Sequence, residues 1–449
     1  MFVCGPTVYD HSHIGHARTY LAYDIIARYL RAKGYSVFYL MNITDVDDKI
    51  ISRANASGED PLLLADRFTK EFLRDMEALG ITSVNLYAKA SEHVPEIVDQ
   101  ISVLIKKGYA YQIEGDVYFD VSKFPEYGRL SGQNIEQLSV HRVDPDSRKK
   151  SVVDFALWKS QKPKEPAWDS PWGKGRPGWH IEDTAITTTY FGPQYDLHGG
   201  GLDLVFPHHE AEVAQAEAAT GVKPLVKYWI HGGLLMVSGE RMGKSMGNFV
   251  TIRELVQRHD GEALRLYYAM RHYRTQLEFD EAGIAQAEGV LDKLRSVYNQ
   301  FTTLLETPSD HGEQGLDLEI QQLATKSMES FVESMDDDFN TPRALAAIIT
   351  YSKEVEAYSN RKLDKQSLEL ILRTFDYFGE VFGILRRANA EQGKAFEDLI
   401  DVILAVREEA RKREDWKTSD NIRDHLRKIG IGLEDTPGGI RWYLASSKS

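Results

Sequence analysis

Hydrophobic positions in the N-terminal part of the chain switch between two periods. Phe2–Val8 is a short apolar run that reads as a strand ending in a Gly-Pro turn. Leu21, Ile25, Ile26, Tyr29 and Leu30 then recur at helical spacing, which predicts a helix from near Ile14 to about Lys33 with Gly34 as its stop. Ser36–Met41 is again compact and apolar, a second strand. A strand–helix–strand unit rich in β-branched and aromatic residues predicts a parallel sheet with crossover helices.

From roughly Tyr87 to Trp179 the pattern changes. A helix near Pro95–Lys107 leads into a strand pair around Ala110–Val121, then a loop-rich stretch through Pro163, Pro166, Pro171 and Pro177. That texture predicts an insertion interrupting the sheet. Alternation resumes with a strand at Tyr195–His198, a helix at Pro207–Ala219 and a strand at Tyr228–Val237. Beyond Thr251 the pattern is nearly all helical, and Leu368, Ile371, Leu372, Phe375, Phe378, Phe382 and Leu385 form one apolar stripe. Thr307–Gln314 reads as a linker. The tail pairs helices at about Phe396–Arg413 and Lys417–Lys428 with short strands at Ile431–Leu433 and Arg441–Leu444.

Composition narrows the classes. The chain has 449 residues, more than one compact core holds, so about two to four domains are expected. A single cysteine, Cys4, excludes an intramolecular disulfide framework, cysteine-rich zinc modules and thiolate-ligated iron–sulfur clusters. It fits a reducing, cytoplasmic setting, and any metal must be held mainly by His, Asp and Glu. No basic segment followed by a long apolar stretch opens the chain, and no window approaches about 18 uncharged apolar residues, so neither export nor a membrane partner is expected. With 54 Lys+Arg against 68 Asp+Glu the net charge is −14, which argues against a uniformly basic nucleic-acid coat but leaves local patches open.

Three clusters carry chemistry. His13-Ile14-Gly15-His16 follows the opening strand and enters the helix. Its two imidazoles share a helical face beside an N-terminus that favours anions, and Gly15 admits a ligand close to the backbone. Such a pair can grip a polyphosphate, although two nearby histidines taken alone are more often incidental. Gly239-Glu240-Arg241-Met242-Gly243-Lys244-Ser245 is a glycine-spaced basic loop after the Tyr228–Val237 strand. It suits charge developing on a phosphate leaving group, and alone it describes a solvated turn as well. Because each motif follows a strand of the same alternating unit, both are expected at the carboxyl edge of one sheet, where open α/β folds bind ligands.

The third cluster is Phe206-Pro207-His208-His209-Glu210-Ala211-Glu212. Pro207 suits a helix start, and His208 and Glu212 are then four apart on one face with metal-ligand geometry. A charged helix start explains the pattern equally well. His209 and Glu210 read as structural, or as supports behind the ligands. Upstream, Gly178-Trp179-His180-Ile181-Glu182-Asp183 adds a carboxylate beside a large aromatic. His198-Gly199-Gly200-Gly201-Leu202-Asp203 adds a glycine-rich strand end with an acid, suited to a base and ribose.

Together these motifs resemble those of the cysteinyl-tRNA synthetases, a family of class I aminoacyl-tRNA synthetases, over nearly the whole chain. His13–His16 resembles the HIGH sequence of that class, and Arg241–Ser245 resembles its KMSKS loop. More specific are Val3-Cys4-Gly5-Pro6-Thr7-Val8-Tyr9-Asp10, Asn42-Ile43-Thr44-Asp45-Val46-Asp47-Asp48-Lys49, Gly175-Arg176-Pro177-Gly178-Trp179-His180-Ile181-Glu182, and Phe206–Glu212. The resemblance implies ATP-dependent ligation of L-cysteine to its tRNA through a cysteinyl-adenylate, with Mg²⁺ accompanying ATP. It implies His13, Gly15 and His16 on the phosphates, Lys244 with Arg241 on the departing pyrophosphate, and Gly199, Gly200 and Asp203 on the adenosine. Relatives commonly carry further residues ahead of the first cysteine, so either this chain is short or its start lies upstream.

The resemblance also implies one zinc ion per chain that recognises the substrate thiolate. In the family two cysteines, a histidine and a glutamate hold the metal. The matching positions here are Cys4, His208 and Glu212, with Asp183 in place of the second cysteine. Asp183 either ligates zinc through an oxygen, the expectation we adopt, or stands behind three protein ligands and an open position. Thr44 and Trp179 match residues that close around the amino acid. Zinc takes a thiolate readily, whereas a serine hydroxyl stays protonated and binds poorly. A hydrophobic pocket separates two such near-isosteres only weakly, so metal ligation accounts for an insertion without an editing domain.

Arg407–Lys428 carries eight Lys/Arg against six Asp/Glu, with Trp416 among them. A solvated helical pair is the commoner source of such a mix; the alternative is an RNA-contacting unit in which an aromatic stacks on an unpaired base. By resemblance, Arg411, Trp416, Asp420 and Asp435 are the expected anticodon contacts. An enzyme with the same core joins cysteine to an amino sugar in mycothiol synthesis but ends before such a tail, which favours tRNA. The expected organisation is a Rossmann-like α/β catalytic domain (1–86 and 180–250) with a connective insertion (87–179). A mostly α-helical anticodon-binding region follows: a stem-contact domain (251–310), a helical bundle (311–395) and an anticodon-binding subdomain (396–449), in a chain expected to act as a monomer.

Overall fold

The computed structural model describes residues 1–133, 148–241, 249–309, 312–385, 390–413, 415–428, 431–436 and 439–444; Arg241 and residues 390–399, 401, 428, 432–436 and 439–444 are described by backbone alone. The chain divides into two units, Met1–Leu385 and Arg386–Ser449. In the first, β1 (Phe2–Val3), α1 (Ile14–Ala32) and β2 (Leu40–Ile43) lead to α2 (Asp48–Ser57), α3 (Pro61–Ala78) and β3 (Leu86–Lys89). There follow α4 (Val94–Lys106), β4 (Ala110–Ile113), β5 (Asp116–Phe119), β6 (Phe155–Ser160) and β7 (Gly175–Pro177). The chain continues through α5 (Ile181–Phe191), β8 (Tyr195–Gly201), α6 (Glu210–Thr220), β9 (Val226–Gly232), β10 (Leu235–Val237) and β11 (Glu240–Arg241). It ends as α7 (Ile252–Val256), α8 (Gly261–Ala269), β12 (Leu277–Glu278), α9 (Glu281–Glu306), α10 (Leu316–Asp336), α11 (Thr341–Glu356) and α12 (Lys365–Phe382).

The alternation expected in the N-terminal part folds as a five-stranded parallel sheet in the order β3-β2-β1-β8-β9. Strands added after β1 run outward on one side, and β8 and β9 extend the sheet on the other. The switch in direction lies between β1 and β8, where an open α/β sheet leaves a crevice at its carboxyl edge. Residues of the insertion form a separate antiparallel sheet in the order β4-β5-β6-β7.

Four expected boundaries move, each for a local reason. The opening strand stops at Val3, because Pro6 has no N–H to donate and a Cβ at Gly5 would collide with the Asn42 carbonyl. The second strand begins at Leu40 instead of Ser36: the Phe38 carbonyl takes the Met1 ammonium and Tyr39 N–H goes to the Asn85 side chain. Tyr228–Val237 is two strands. Gly233 packs on the Arg274 and Thr275 carbonyls, and the chain leaves the large sheet there for a small one, β11-β10-β12. The basic loop therefore follows a strand of the small sheet. The helix expected from Pro207 starts at Glu210, since Val205–His209 is wound more widely and Phe206 is extended.

The helical stripe on α12 is buried as expected, with Phe378 against Phe331 of α10 (4.8 Å between rings) and Phe375 against Tyr351 of α11 (5.0 Å). A buried guanidinium ties these helices to the α/β layer. Arg265 of α8 donates to the Phe382 carbonyl (2.6 Å), to the Leu79 and Gly80 carbonyls (3.2 and 3.1 Å) and to Asp24 of α1 (2.5 Å). Among the described residues no helix is long and apolar enough to cross a membrane. In the second unit, α13 (Ala390–Lys412) and α14 (Trp416–Lys428) precede the hairpin of β13 (Ile431–Thr436) and β14 (Gly439–Leu444).

Candidate active site

The carboxyl ends of β1, β2 and β8, together with the start of α1, open on a cavity of about 370 Å³. Cys4, Thr44, Trp179, Asp183 and His208 line one part, and His13, Gly15, His16 and Asp203 line another. Residues expected at the site from six separate motifs thus share one space.

At the nucleotide end, the two histidines build the start of α1. His13 is its N-cap: Nδ1 accepts the Gly15 N–H at 3.1 Å, while His16 Nδ1 accepts the His13 N–H at 3.3 Å. This is a capping box made of imidazoles, stacked 3.8 Å apart. A backbone N–H only donates, so each Nδ1 is unprotonated and the neutral ring carries its proton on Nε2. Burial lowers the His13 pKa to about 4 and that of His16 well below the usual imidazole range. Both rings therefore offer uncharged N–H donors beside a helix N-terminus.

Of the expected adenosine residues, Asp203 lines the cavity. Gly199 and Gly200 are close-packed and outside the lining: a Cβ at the first would meet the Tyr23 ring, and at the second the His209 ring. The cavity is lined instead by Gly201, Gly232 and Gly233, and by Lys49, a cation within the Asn42–Lys49 motif whose own role the motif does not reveal. Lys244 and the Arg241 side chain lie outside the described residues. Both ends of their loop are placed: Arg241 pairs with Met236, and the returning chain bonds Ile14 N–H to the Val250 carbonyl (3.1 Å) and Ile252 N–H to the Ser12 carbonyl (2.9 Å). The loop thus returns beside His13.

At the other end, Cys4, Asp183, His208 and Glu212 converge. His208 Nε2 is 3.0 Å from Asp183 Oδ2 and 3.1 Å from Glu212 Oε1; Cys4 Sγ is 3.3 and 3.9 Å from the same two oxygens. Donors roughly 2.0–2.3 Å from a tetrahedral zinc stand roughly 3.3–3.6 Å apart, so the set has the right dimensions. Its electrostatics also call for a cation. Asp183, Glu212 and Glu182 are buried, and among the described residues no Lys or Arg pairs with them. Glu212 Oε2 accepts no hydrogen bond. Burial, reinforced by Asp183, pushes the Cys4 thiol and the Glu182 and Glu212 carboxyls well up. Several buried acids with no countercharge are unfavourable, and a divalent ion reverses that balance.

His208 is held in orientation from both sides. Its Nδ1 faces His180 Nδ1 at 2.9 Å, leaving Nε2 for the donor set, and Trp179 stacks on its ring at 4.4 Å. Thr44 donates its hydroxyl to Glu182. A second group, Cys4 with His198, His209 and Glu212, is equally close-set. There His198 Nδ1 is taken by the Tyr195 hydroxyl (2.7 Å) and His209 Nδ1 by His231 (2.8 Å), and neither ring reaches the cavity. Of that group only Cys4 lines the cavity. The doublet His208-His209 was the sequence signal for it, but only the fold shows that His208 Nε2 meets Asp183 and Glu212 while His209 Nε2 meets Cys4 Sγ at 3.2 Å. Glu210 accepts the Leu130 and Ser131 N–H groups and is structural.

In the second unit Arg411 is half-buried on α13. Trp416, 57% exposed, opens α14, and Asp420 is exposed one turn on. Asp435 lies in β13, and its side chain is outside the described residues.

A parallel sheet with this switch point and imidazoles at the helix start beside it defines the catalytic core of a class I aminoacyl-tRNA synthetase. Residues 1–289 match the family model "tRNA synthetases class I (C) catalytic domain", 330–386 the DALR domain, and 394–442 the "Cysteinyl-tRNA ligase anticodon binding domain". The cysteine–tRNA ligase of Thermococcus onnurineus is 46% identical, over 99% of this chain and 94% of that protein. That of Heliobacterium modesticaldum is 44% identical, over 99% and 95%. In fold, the chain is similar to Mycobacterium tuberculosis methionyl-tRNA synthetase in complex with methionyl-adenylate (TM-score 0.61, 17% identity, covering 85% of this chain and 89% of that one). The chain belongs to the cysteine–tRNA ligase family.

Proposed function

We propose that the protein activates L-cysteine with ATP and transfers it to the terminal ribose of a cysteine tRNA, in the cytoplasm. The observation that carries this reading is one cavity lined at one end by a buried thiol, a carboxylate and an imidazole at metal-ligand separations, with Glu212 behind them, and at the other by two neutral imidazole donors on a helix start. In the first step the cysteine carboxylate attacks the α-phosphate of ATP, with Mg²⁺ accompanying the nucleotide, and pyrophosphate leaves. In the second, a ribose hydroxyl of the tRNA attacks the activated carbonyl carbon and AMP leaves. Neither step needs a protein nucleophile; positioning and charge stabilisation do the work.

His13 and His16 donate from Nε2 to phosphate oxygens, with Gly15 admitting them close to the helix start. Lys244, with Arg241, neutralises the departing pyrophosphate. Asp203, with the glycine-rich end of β8, holds the adenosine. Cys4, Asp183, His208 and Glu212 hold a zinc ion, which when bound supplies a position that prefers a thiolate to a hydroxyl. Thr44 and Trp179 close around the amino acid, Trp179 from its stacked position on His208. Arg411, Trp416, Asp420 and Asp435 meet the anticodon.

The tail matched by an anticodon-binding model supports tRNA over an amino sugar as acceptor. The test is aminoacylation of a cysteine-tRNA transcript, with ATP–pyrophosphate exchange and zinc content measured on the same preparation. Cysteine-dependent exchange without tRNA charging overturns the acceptor, and absence of both overturns the activity.

A further inference from the structure

One amide side chain joins the two sides of the metal centre. Asn42, buried in β2, accepts the Gly5 N–H at Oδ1 over 2.6 Å. Because a backbone N–H only donates, this contact sets the amide's orientation and turns Nδ2 toward Asp183. Nδ2 donates to Asp183 Oδ1 at 2.5 Å. Only Oδ2 of that carboxylate is left facing the other donors, 3.0 Å from His208 Nε2 and 3.3 Å from Cys4 Sγ. Gly5 follows Cys4 directly, and its lack of a Cβ is what lets the backbone lie against the Asn42 carbonyl.

We propose that Asn42 is a positioning residue of the metal centre, holding Asp183 as a one-oxygen ligand and setting it in register with Cys4. The proposal rests on the metal-binding reading above. A thiolate presents a single donor atom, whereas a carboxylate is free to rotate, to swap oxygens or to chelate with both. Asp183 is fully buried, and among the described residues Asn42 alone donates to its Oδ1. The bond removes one oxygen from the metal's reach and orients the other, as partners behind metal ligands commonly do. The protein then contributes one sulfur, one nitrogen and two carboxylate oxygens, and the second sulfur on the metal is the substrate's own.

The test is metal affinity of the full chain, measured with Zn²⁺ and with Co²⁺, whose thiolate charge-transfer absorption counts bound sulfurs. The unmodified protein should show one-thiolate absorption that rises when cysteine is added. Asn42→Ala should weaken binding of both metals on the order of 10–100-fold. In an Asp183→Cys background the same substitution should leave affinity unchanged, because a thiolate has no second donor atom to hold. Equal losses in both backgrounds, or no loss in either, overturn the proposal. Should Asn42→Ala not fold, Asn42→Ser, polar but too short to span to Oδ1, carries the same expectations. Full metal affinity in Cys4→Ala overturns the metal-binding reading itself, independently of any result at Asn42.

Discussion

His13 and His16 stack face to face at 3.8 Å, and each gives its Nδ1 to a backbone amide at the start of α1. One pair of side chains therefore caps the helix and presents two N–H donors to the cavity. Capping and ligand binding are normally competing explanations of such a motif, but a neutral ring that caps through Nδ1 keeps its Nε2–H for a ligand, so the two are compatible here.

That arrangement keeps the rings neutral, with a pH consequence. Burial puts the His13 pKa at about 4, against 6.5 for a free imidazole. Between those values the unfolded chain binds the extra proton, so this residue's contribution to stability is present above pH ~6.5 and is lost as pH falls toward ~4. Imidazole NMR should show His13 titrating near the lower value; a midpoint near 6.5 contradicts the assignment. His13→Asn preserves an N-cap but not Nε2–H, so thermal stability should hold while adenylate formation drops on the order of 100-fold.

Lys244→Ala should lower the maximal rate of cysteine-dependent ATP–pyrophosphate exchange on the order of 100- to 1,000-fold, with little change in the KM for cysteine. Equal loss in both quantities would argue that Lys244 acts on ground-state binding.

Asp24 is fully buried, which disfavours its charge, yet the Arg265 and Arg28 guanidiniums hold its carboxyl at about 2. Removing Arg265 leaves that carboxylate undercompensated and takes one donor from each of the Phe382, Leu79 and Gly80 carbonyls, of which Gly80 keeps Arg28. Arg265→Met should destabilise the first unit by about 3 kcal/mol or more, read as a lower urea midpoint. The Asp24 contribution is present above pH ~3.8 and is lost as pH falls toward ~2.

Trp416 stands exposed at the first position of α14. If it stacks on an anticodon base, Trp416→Ala should weaken tRNA binding by about 1–3 kcal/mol and leave pyrophosphate exchange unchanged. A fall in exchange would place its effect in the catalytic unit instead.

Much of this was legible along the chain, because periodicity and capping are local. The Leu368–Phe382 stripe is buried as its spacing predicts, and α1 runs Ile14–Ala32 against an expected Ile14 to Lys33. The exceptions lie where non-local packing intervenes. Tyr228–Val237 has an unbroken apolar texture, yet it divides where Gly233 meets the backbone of residues 274 and 275, a contact no window of sequence contains.

By itself the sequence determined which residue types were available: one thiol, the His-Gly-His helix start, a doublet of histidines and the adjacent acids Glu182 and Asp183. Tertiary structure alone decided which atoms meet. Cys4 and Asp183 are 179 positions apart and come within 3.3 Å because α5, which carries Asp183 in its first turn, shares a packed core with the end of β1. His208 and His209 are neighbours in sequence but meet different partners, Asp183 Oδ2 and the Cys4 thiol, and of the two His208 opens on the cavity. Strand order and side-chain direction follow from packing between distant segments, so the choice of donor atoms has no local signal to read.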